Sequence, residues 1–421
     1  LHTVIKRIAT LKKYQMVLEL AVIQGANAIF PVLIFPFIML SVGTDLFSKI
    51  VLSEALAMYV LIFSLYSFDI ISVQKIISVN TNDEAYKVFV LTLVCRCILF
   101  AFISILILII VFFISNTLFF YFSIFLFYPL GMIFQSNYYY QATANNKPLA
   151  IFVILSRGIA LCLIYYPFEF SIAVKSYYYV SIISGSYFLS GLMAILYVFW
   201  NNKENKVNIK VCEIVEYFKG GYHLFIANIF VLLYRNSNVL ILGVISNPVA
   251  TSIYATAEKI VKCVQSVATP LNQFYLTVLL KSHKSKIDGY NVGEYKQLVY
   301  ANTKGQLKIM CAIILVCAIA GGVFFMTIGG GVVNDTIAPL AIMSISILVG
   351  IGNFMFGSVG LSIKGFKKEF SVMTGVAGCI SIALAFIFSY FLAEKGAAMA
   401  YVSAELILLI LVLKFYAFKK I

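Results

Sequence analysis

The stretch "ILFAFISILILIIVFFI", residues 98–114, holds one hydroxyl, on Ser104, and no charge. A run this continuous does not alternate in polarity as a barrel strand does. It is apolar all round, so as a helix in water it would leave a greasy face uncovered. In a bilayer it fits: about 20 apolar residues at about 1.5 Å rise cross a hydrocarbon core of about 30 Å. Backbone polar groups find no water there, so the segment must satisfy them itself as a helix. Similar runs lie near 14–41, 51–75, 88–114, 117–141, 149–168, 177–200, 221–245, 250–279, 306–329, 337–361, 370–392 and 397–417. The chain is 62% hydrophobic and 11% charged, too little polar surface to cover soluble cores. The fold class expected is an all-α integral membrane protein of about 12 transmembrane helices.

Charge gives the orientation. The net charge of +14 would suggest nucleic acid in a soluble protein, but excess Lys and Arg also collect in cytoplasmic loops of membrane proteins. With the N-terminus, the even-to-odd connections and the C-terminus on one side, the other side keeps only Lys49, Lys175 and Lys395. The asymmetry is about seven to one, which predicts both termini in the cytoplasm and an even number of spans. The basic opening "LHTVIKRIATLKKYQ" leads into a run of full span length, so no cleavable signal is expected.

The longest polar connections, 201–221 and 281–305, fall on the cytoplasmic side, and no stretch is left for a soluble catalytic domain. This excludes an enzyme with such a domain. The 201–221 connection predicts two six-helix lobes, an N-terminal lobe of 1–205 and a C-terminal lobe of 206–421, as in transporters built from parallel repeats. Within it, 208–219 is expected to form a helix on the membrane surface. The eight cysteines show no metal spacing and the three histidines are scattered. No metal, cofactor or disulfide framework is expected.

Charges deep within these spans carry the functional reading. Glu258 and Lys259 sit about ten residues into span eight, roughly 15 Å deep. Arg96, Arg235 and Glu405 have similar depth. Asp69, Arg157 and Lys308 lie nearer the cytoplasmic end, and Glu19 and Glu54 close to span ends. A charge at the centre of a lipid-facing helix costs about 2.5–3.5 kcal/mol on the mildest scale. Lys308 can snorkel; Arg235, Lys259 and Lys262 have no such escape. Glu258 and Lys262 are spaced to pair at i,i+4. Such charges either lock helices together or face a polar lumen. In the deep set Arg96, Arg157, Arg235, Lys259, Lys262 and Lys308 outnumber Asp69, Glu258 and Glu405, so a lumen lined by them favours an anionic substrate.

The tyrosine triplets at 138–140 and 177–179 stand at span ends. An interfacial aromatic belt is the first reading; stacking against sugars is the second, with Asn137, Gln141 and Asn145 beside the first triplet. Pro31, Pro36, Pro129, Pro270 and Pro339 permit kinks. "GNFMFGSVG" (352–360) supplies small residues for close helix contact or bending.

Segment 222–279 resembles spans seven and eight of Wzx-type O-antigen flippases, in the multidrug/oligosaccharidyl-lipid/polysaccharide exporter superfamily. Leu242 and Gly243 end one span, and Tyr254, Ala257, Glu258 and Lys259 match the Tyr-x-x-Ala-Glu-Lys start of the next. "FPFIMLSVGTDLFSKIV" (35–51), "YSFDIISVQKII" (66–77, with Asp69), "LSIKGFKKEFSVMTGVAG" (361–378) and "GAAMAYVSAE" (396–405) are similar to other family stretches. The fourth span departs from it. "YPLGMIFQSNYYYQATANNK" (128–147) lacks the tryptophan and acidic residue of many relatives, so no site carries over there.

The resemblance implies a transporter of undecaprenyl-diphosphate-linked oligosaccharide from the cytoplasmic to the periplasmic leaflet of a bacterial inner membrane. It implies membrane lipids, an O-antigen polymerase and a chain-length regulator as partners, and no nucleic acid. The lumen cations expected to bind substrate are Arg96, Arg157, Arg235, Lys259 and Lys262. Asp69, Glu258 and Glu405 are the ion-coupling candidates. A capsular or exopolysaccharide flippase, a multidrug antiporter of the same superfamily and a membrane O-antigen polymerase are the alternatives. The antiporter, whose substrates are often cationic, suits a positive lumen poorly, and the large periplasmic loop that such polymerases carry is missing from this sequence.

Overall fold

The break in the first long helix falls where the chain has a glycine. α1 (His2–Leu65) carries Pro31 and Pro36 inside it, yet its one non-helical residue is Gly43, at φ 80° and ψ 164°. A side chain would strain that conformation; glycine adopts it freely. The 64 residues are therefore two helices joined at a turn, and each half is long enough for one crossing. The computed structural model describes all residues except 1, 80, 167, 204–206, 286–296, 298, 316–331, 362–363 and 420–421.

The second expected span ends in a break at Tyr66 and Ser67, both left-handed (φ 45° and 59°), before α2 (Phe68–Ser78). α3 (Asn82–Ile114) starts where the Thr81 side chain accepts a hydrogen bond from the Glu84 amide, satisfying one of the orphan donors of a helix start. Span four is three short helices, α4 (Asn116–Phe125), α5 (Phe127–Gln135) and α6 (Asn137–Ala142). Ser136 divides the last two at φ 45°. α7 (Lys147–Tyr165) and α8 (Ile172–Asn201) follow.

α5 and α8 approach backbone to backbone. A Cβ on Gly191 would stand 2.1 Å from the Gly131 carbonyl oxygen, and one on Gly131 would stand 2.4 Å from the Tyr187 backbone. Small residues are what permit such closeness in a membrane, where dispersion contact replaces the hydrophobic effect.

α9 (Val211–Ile245) is one continuous helix of 35 residues. It absorbs most of segment 208–219, which is thus not a separate surface helix. The cause is local: Tyr217 and Phe218 dock on α2, so the helix is held by protein contacts. α10 (Pro248–Ser285) follows a turn in which Asn247 Oδ1 accepts from the Ala250 amide at 2.8 Å. In α11 (299–315), buried Gln306 donates to Asn272 of α10. Most of the expected ninth span lies outside the described residues.

α12 (Val332–Asp335) and α13 (Ile337–Gly352) lead into a π-helical stretch, Asn353–Leu361. α14 (Lys367–Lys419) is again two helices, joined at Ala393 (φ 46°, ψ −124°). The chain packs as two compact units, Leu1–Ile229 and Phe230–Ile421. Among the described residues seven helical stretches are long and apolar enough to cross a membrane. In the second unit Asn247, Asp335, Glu394 and Lys395 share one cleft of about 480 Å³. The turns following α9, α12 and the first half of α14 therefore lie at one end of that unit, as alternating spans require.

Candidate functional site

In the first unit, α2 begins immediately after the Tyr66–Ser67 break, which puts Asp69 in its first turn. Arg96 of α3 reaches it, Nη2 to Oδ1 at 2.7 Å. The guanidinium is 1% exposed and the carboxylate 46%. The pair thus has a dry positive end and a wet negative end, and its attraction is partly screened by solvent. The Tyr138 ring lies 4.7 Å from the guanidinium carbon, a cation–π contact that offsets part of the lost hydration.

Arg157 of α7 is buried at 3% exposure and, among the described residues, no carboxylate stands within ion-pair distance of it. It donates to Asn27 Oδ1 at 2.9 Å and Ser186 Oγ at 3.0 Å, with the Tyr187 ring at 3.5 Å and Phe30 at 5.4 Å. Neutral acceptors and two π faces substitute for a counter-charge.

In the second unit, Glu405 of α14 is 2% exposed and holds two donors. Arg235 Nη2 of α9 is 2.8 Å from Oε1, and Asn353 Nδ2 is 2.7 Å from Oε2. Asn353 also donates to the Glu405 carbonyl at 2.9 Å. That amide is the first residue of the π-helical stretch, a geometry often found at functional positions. Arg235 is 45% exposed, so its side chain stays partly accessible while Nη2 is tied to a buried carboxylate.

One helical turn apart on α10, Glu258 and Lys262 stand at 3.2 Å, the i,i+4 pairing expected from the sequence. The ammonium is better directed at Asn236 Oδ1, at 3.1 Å. Glu258 is 4% exposed and Lys262 33%; Lys259 is partly buried. Asn238 donates to the Tyr254 hydroxyl at 3.0 Å, and Tyr401 donates to Gln265, which donates to Ser346. The unit thus holds two buried carboxylates beside half-exposed cations, fixed by amides and hydroxyls from α9, α10, α13, α14 and the π-helical stretch.

Of the nine residues singled out by depth and charge, Arg96 and Asp69 meet in the first unit, where Arg157 is held by neutral groups. Arg235 meets Glu405 and Lys262 meets Glu258 in the second. Arg96 and Arg157 are buried inside the first unit's own packing. Lys308 is exposed, in line with a snorkelling lysine. The amides Asn27, Asn236, Asn238 and Asn353 were missed. The polar run "RNSN" (235–238) inside an apolar span was a usable signal for two of them.

Both readings of the first tyrosine triplet need correcting. Tyr138 and Tyr140 are 1% exposed and donate to the Phe89 and Ala194 carbonyls, so they are core groups and neither belt nor sugar platform. In the second triplet Tyr179 is buried and shares a hydrogen bond with Ser41.

Residues 15–276 match the family model described as polysaccharide biosynthesis protein. The chain is 25% identical to the putative O-antigen transporter of Escherichia coli (strain K12) over 423 residues, covering 95% of each. Its fold is similar to that of an inward-facing multidrug resistance MATE family transporter of the MOP superfamily, with TM-score 0.66, 14% identity and 94% of each chain covered. It is also similar to a eukaryotic MATE transporter, with TM-score 0.61, 15% identity and coverage of 97% of this chain and 95% of the other.

Proposed function

We propose, since this chain belongs to the polysaccharide biosynthesis protein family and is a multi-pass membrane transporter with no enzymatic role, that it is a flippase for lipid-linked oligosaccharide. The substrate is an undecaprenyl-diphosphate-linked O-antigen repeat unit, moved from the cytoplasmic to the periplasmic leaflet of the bacterial inner membrane. The observation that carries this reading is the second unit's set of half-exposed cations, Arg235 and Lys262, each anchored by a buried carboxylate. A cation so held keeps its position while the exposed part of its side chain takes an anion such as a diphosphate. The polyprenyl tail stays in lipid, and the glycan crosses beside the amides and hydroxyls.

Lys259 belongs to the same face of the proposal. In the first unit, where both are buried, Arg96 and Arg157 are proposed separately as further cations for the anionic substrate. Asp69, Glu258 and Glu405 are the groups proposed to couple transport to an ion, and alternating access is the proposed motion. Handing the unit to an O-antigen polymerase and chain-length regulator would follow.

The test is complementation of a flippase-null strain, with analysis of the lipid-linked glycan that accumulates. Restored surface glycan is the expected result. Failure to restore it in strains of several glycan types, together with drug resistance on expression, would favour the multidrug antiporter reading instead.

A further inference from the structure

Three turns at one end of the second unit enclose a cleft of about 480 Å³, within the range of about 300–1,000 Å³ usual for small-molecule sites. Each turn brings polar side chains to the lining: Asn247 from the turn before α10, Asn334 and Asp335 from α12, and Glu394 and Lys395 from the middle of α14. Asn247 is fixed in place because its Oδ1 accepts from the Ala250 amide. At Ala393 (φ 46°, ψ −124°) the chain turns sharply, and the two side chains that follow both line the cleft. A Cβ on Gly396 would collide with the Phe388 carbonyl, so the turn is packed tightly against the helix before it. Among the described residues, the side chains of Asn334, Asp335, Glu394 and Lys395 make no hydrogen bond or ion pair, although they share one cleft.

This set discriminates among ligands. Two carboxylates against one ammonium disfavour an anion, so the cleft is not a second place for the diphosphate. Among the described residues no group of three or more His, Cys, Asp or Glu is placed to hold a metal ion, and Lys395 would oppose one here. No aromatic ring lines the cleft among the described residues, so an organic cation lacks the π face that often holds it. A molecule with several neighbouring hydroxyls does fit. Carboxylates accept from hydroxyls, an ammonium donates to them, and amides do both. Aliphatic side chains such as Val249 and Ile253 are there to cover its C–H groups.

We propose that this cleft is a carbohydrate subsite that takes one neutral or N-acetylated sugar of the glycan, apart from the cations that would hold the diphosphate. It rests on the flippase reading and adds a second point of recognition, among turns that the charge asymmetry assigns to the side where the glycan would emerge. A site built on hydroxyl contacts rejects a sugar that lacks one of them. The cleft would therefore distinguish glycans that cations holding a diphosphate treat alike.

The test is saturation-transfer NMR on the full chain in nanodiscs, with glucose, galactose, mannose, rhamnose, N-acetylglucosamine and N-acetylgalactosamine as probes. At least one should receive saturation, with a Kd on the order of 1 mM, since a single ring offers few contacts. The double variant Asp335→Asn, Glu394→Gln keeps the shape and should weaken binding about tenfold, as charged acceptors become neutral ones. Ala341→Trp fills the cleft without touching its charges and should abolish binding; Ala341 is exposed, so the fold tolerates the larger ring. Exposed Glu216→Gln, in the first unit, is the control and should change nothing. No saturation of any of the six sugars, or saturation that survives both the double variant and Ala341→Trp, overturns the proposal. So does a cleft that takes magnesium ions in place of sugars. Sugar binding needs no transport, so failed complementation with sugar binding intact would sink the flippase reading alone. Successful complementation with no sugar bound would sink the subsite alone.

Discussion

A buried carboxylate with two donors is a point where one side chain governs several others. Glu405 binds Arg235 on one oxygen and Asn353 on the other, so Arg235→Ala removes the open cation and leaves Oε1 without that donor. Hydrogen bonds to charged groups contribute about 1.5–3 kcal/mol, so export in a null strain should fall about 10- to 100-fold at unchanged membrane level. Lys259→Ala should act in the same direction. Normal surface glycan with either variant at native expression removes that residue from the substrate path. A second residue-scale effect concerns pH. The hydrogen bond from Lys87 holds the Glu213 carboxyl below its ordinary value. A carboxylate lowered in the folded state contributes stability above its unfolded pKa of about 4.3 and loses it as pH falls through the folded value. Docking of the start of α9 should therefore be constant from pH 6 to 8 and loosen only in acid, as pH falls below the ordinary carboxylate range. Distances between spin labels at positions 78 and 212 measure this, and Glu213→Gln should erase the dependence.

At the level of elements, the membrane-crossing helices were legible because their signal is local: apolar length is visible residue by residue. Their interruptions were not. Ser136 and Ser67 adopt left-handed φ without being glycine or proline, so nothing in their identity marks the divided fourth span or the break before α2. The Glu258–Lys262 pair was legible since i,i+4 neighbours meet on any helix. Arg96 with Asp69, and Arg235 with Glu405, are separated by 27 and 170 positions and pair only once the helices are placed. Tyr138 and Tyr140 turned inward for the same reason: their acceptors are carbonyls that other elements bring within reach. The backbone contact between α5 and α8 gives a direct prediction. Gly191→Ala puts a methyl 2.1 Å from the Gly131 carbonyl, where only backbone could yield. Overpacking of this kind costs about 1–3 kcal/mol, so the detergent-solubilised variant should melt several degrees lower. Gly185→Ala, with nothing within 4 Å, should not.

On the scale of the whole molecule, the two compact units and the transporter fold leave the sidedness of the chain to be set by its charge. With twelve alternating spans, lysines and arginines would crowd the connections on one side, and only Lys49, Lys175 and Lys395 would lie on the other. Of these, Lys49 pairs with Asp45 at 3.0 Å, and Lys395 shares the cleft of the second unit with Asp335 and Glu394. Two of these three lysines thus pair with or stand near acidic residues. Moving a cluster of cations across a bilayer is opposed, so the lysine-rich side should remain cytoplasmic. A phosphatase fused after Ile421 should be inactive and a fluorescent protein fused there should fold and emit, while phosphatase fusions in the turns at 247 and 394 should be active. Introducing two lysines beside Glu394 should lower the activity of the fusion at 394 by opposing translocation of that turn. A C-terminal fusion active only outside the cytoplasm would invert the whole assignment, and with it the direction in which the flippase reading moves its substrate.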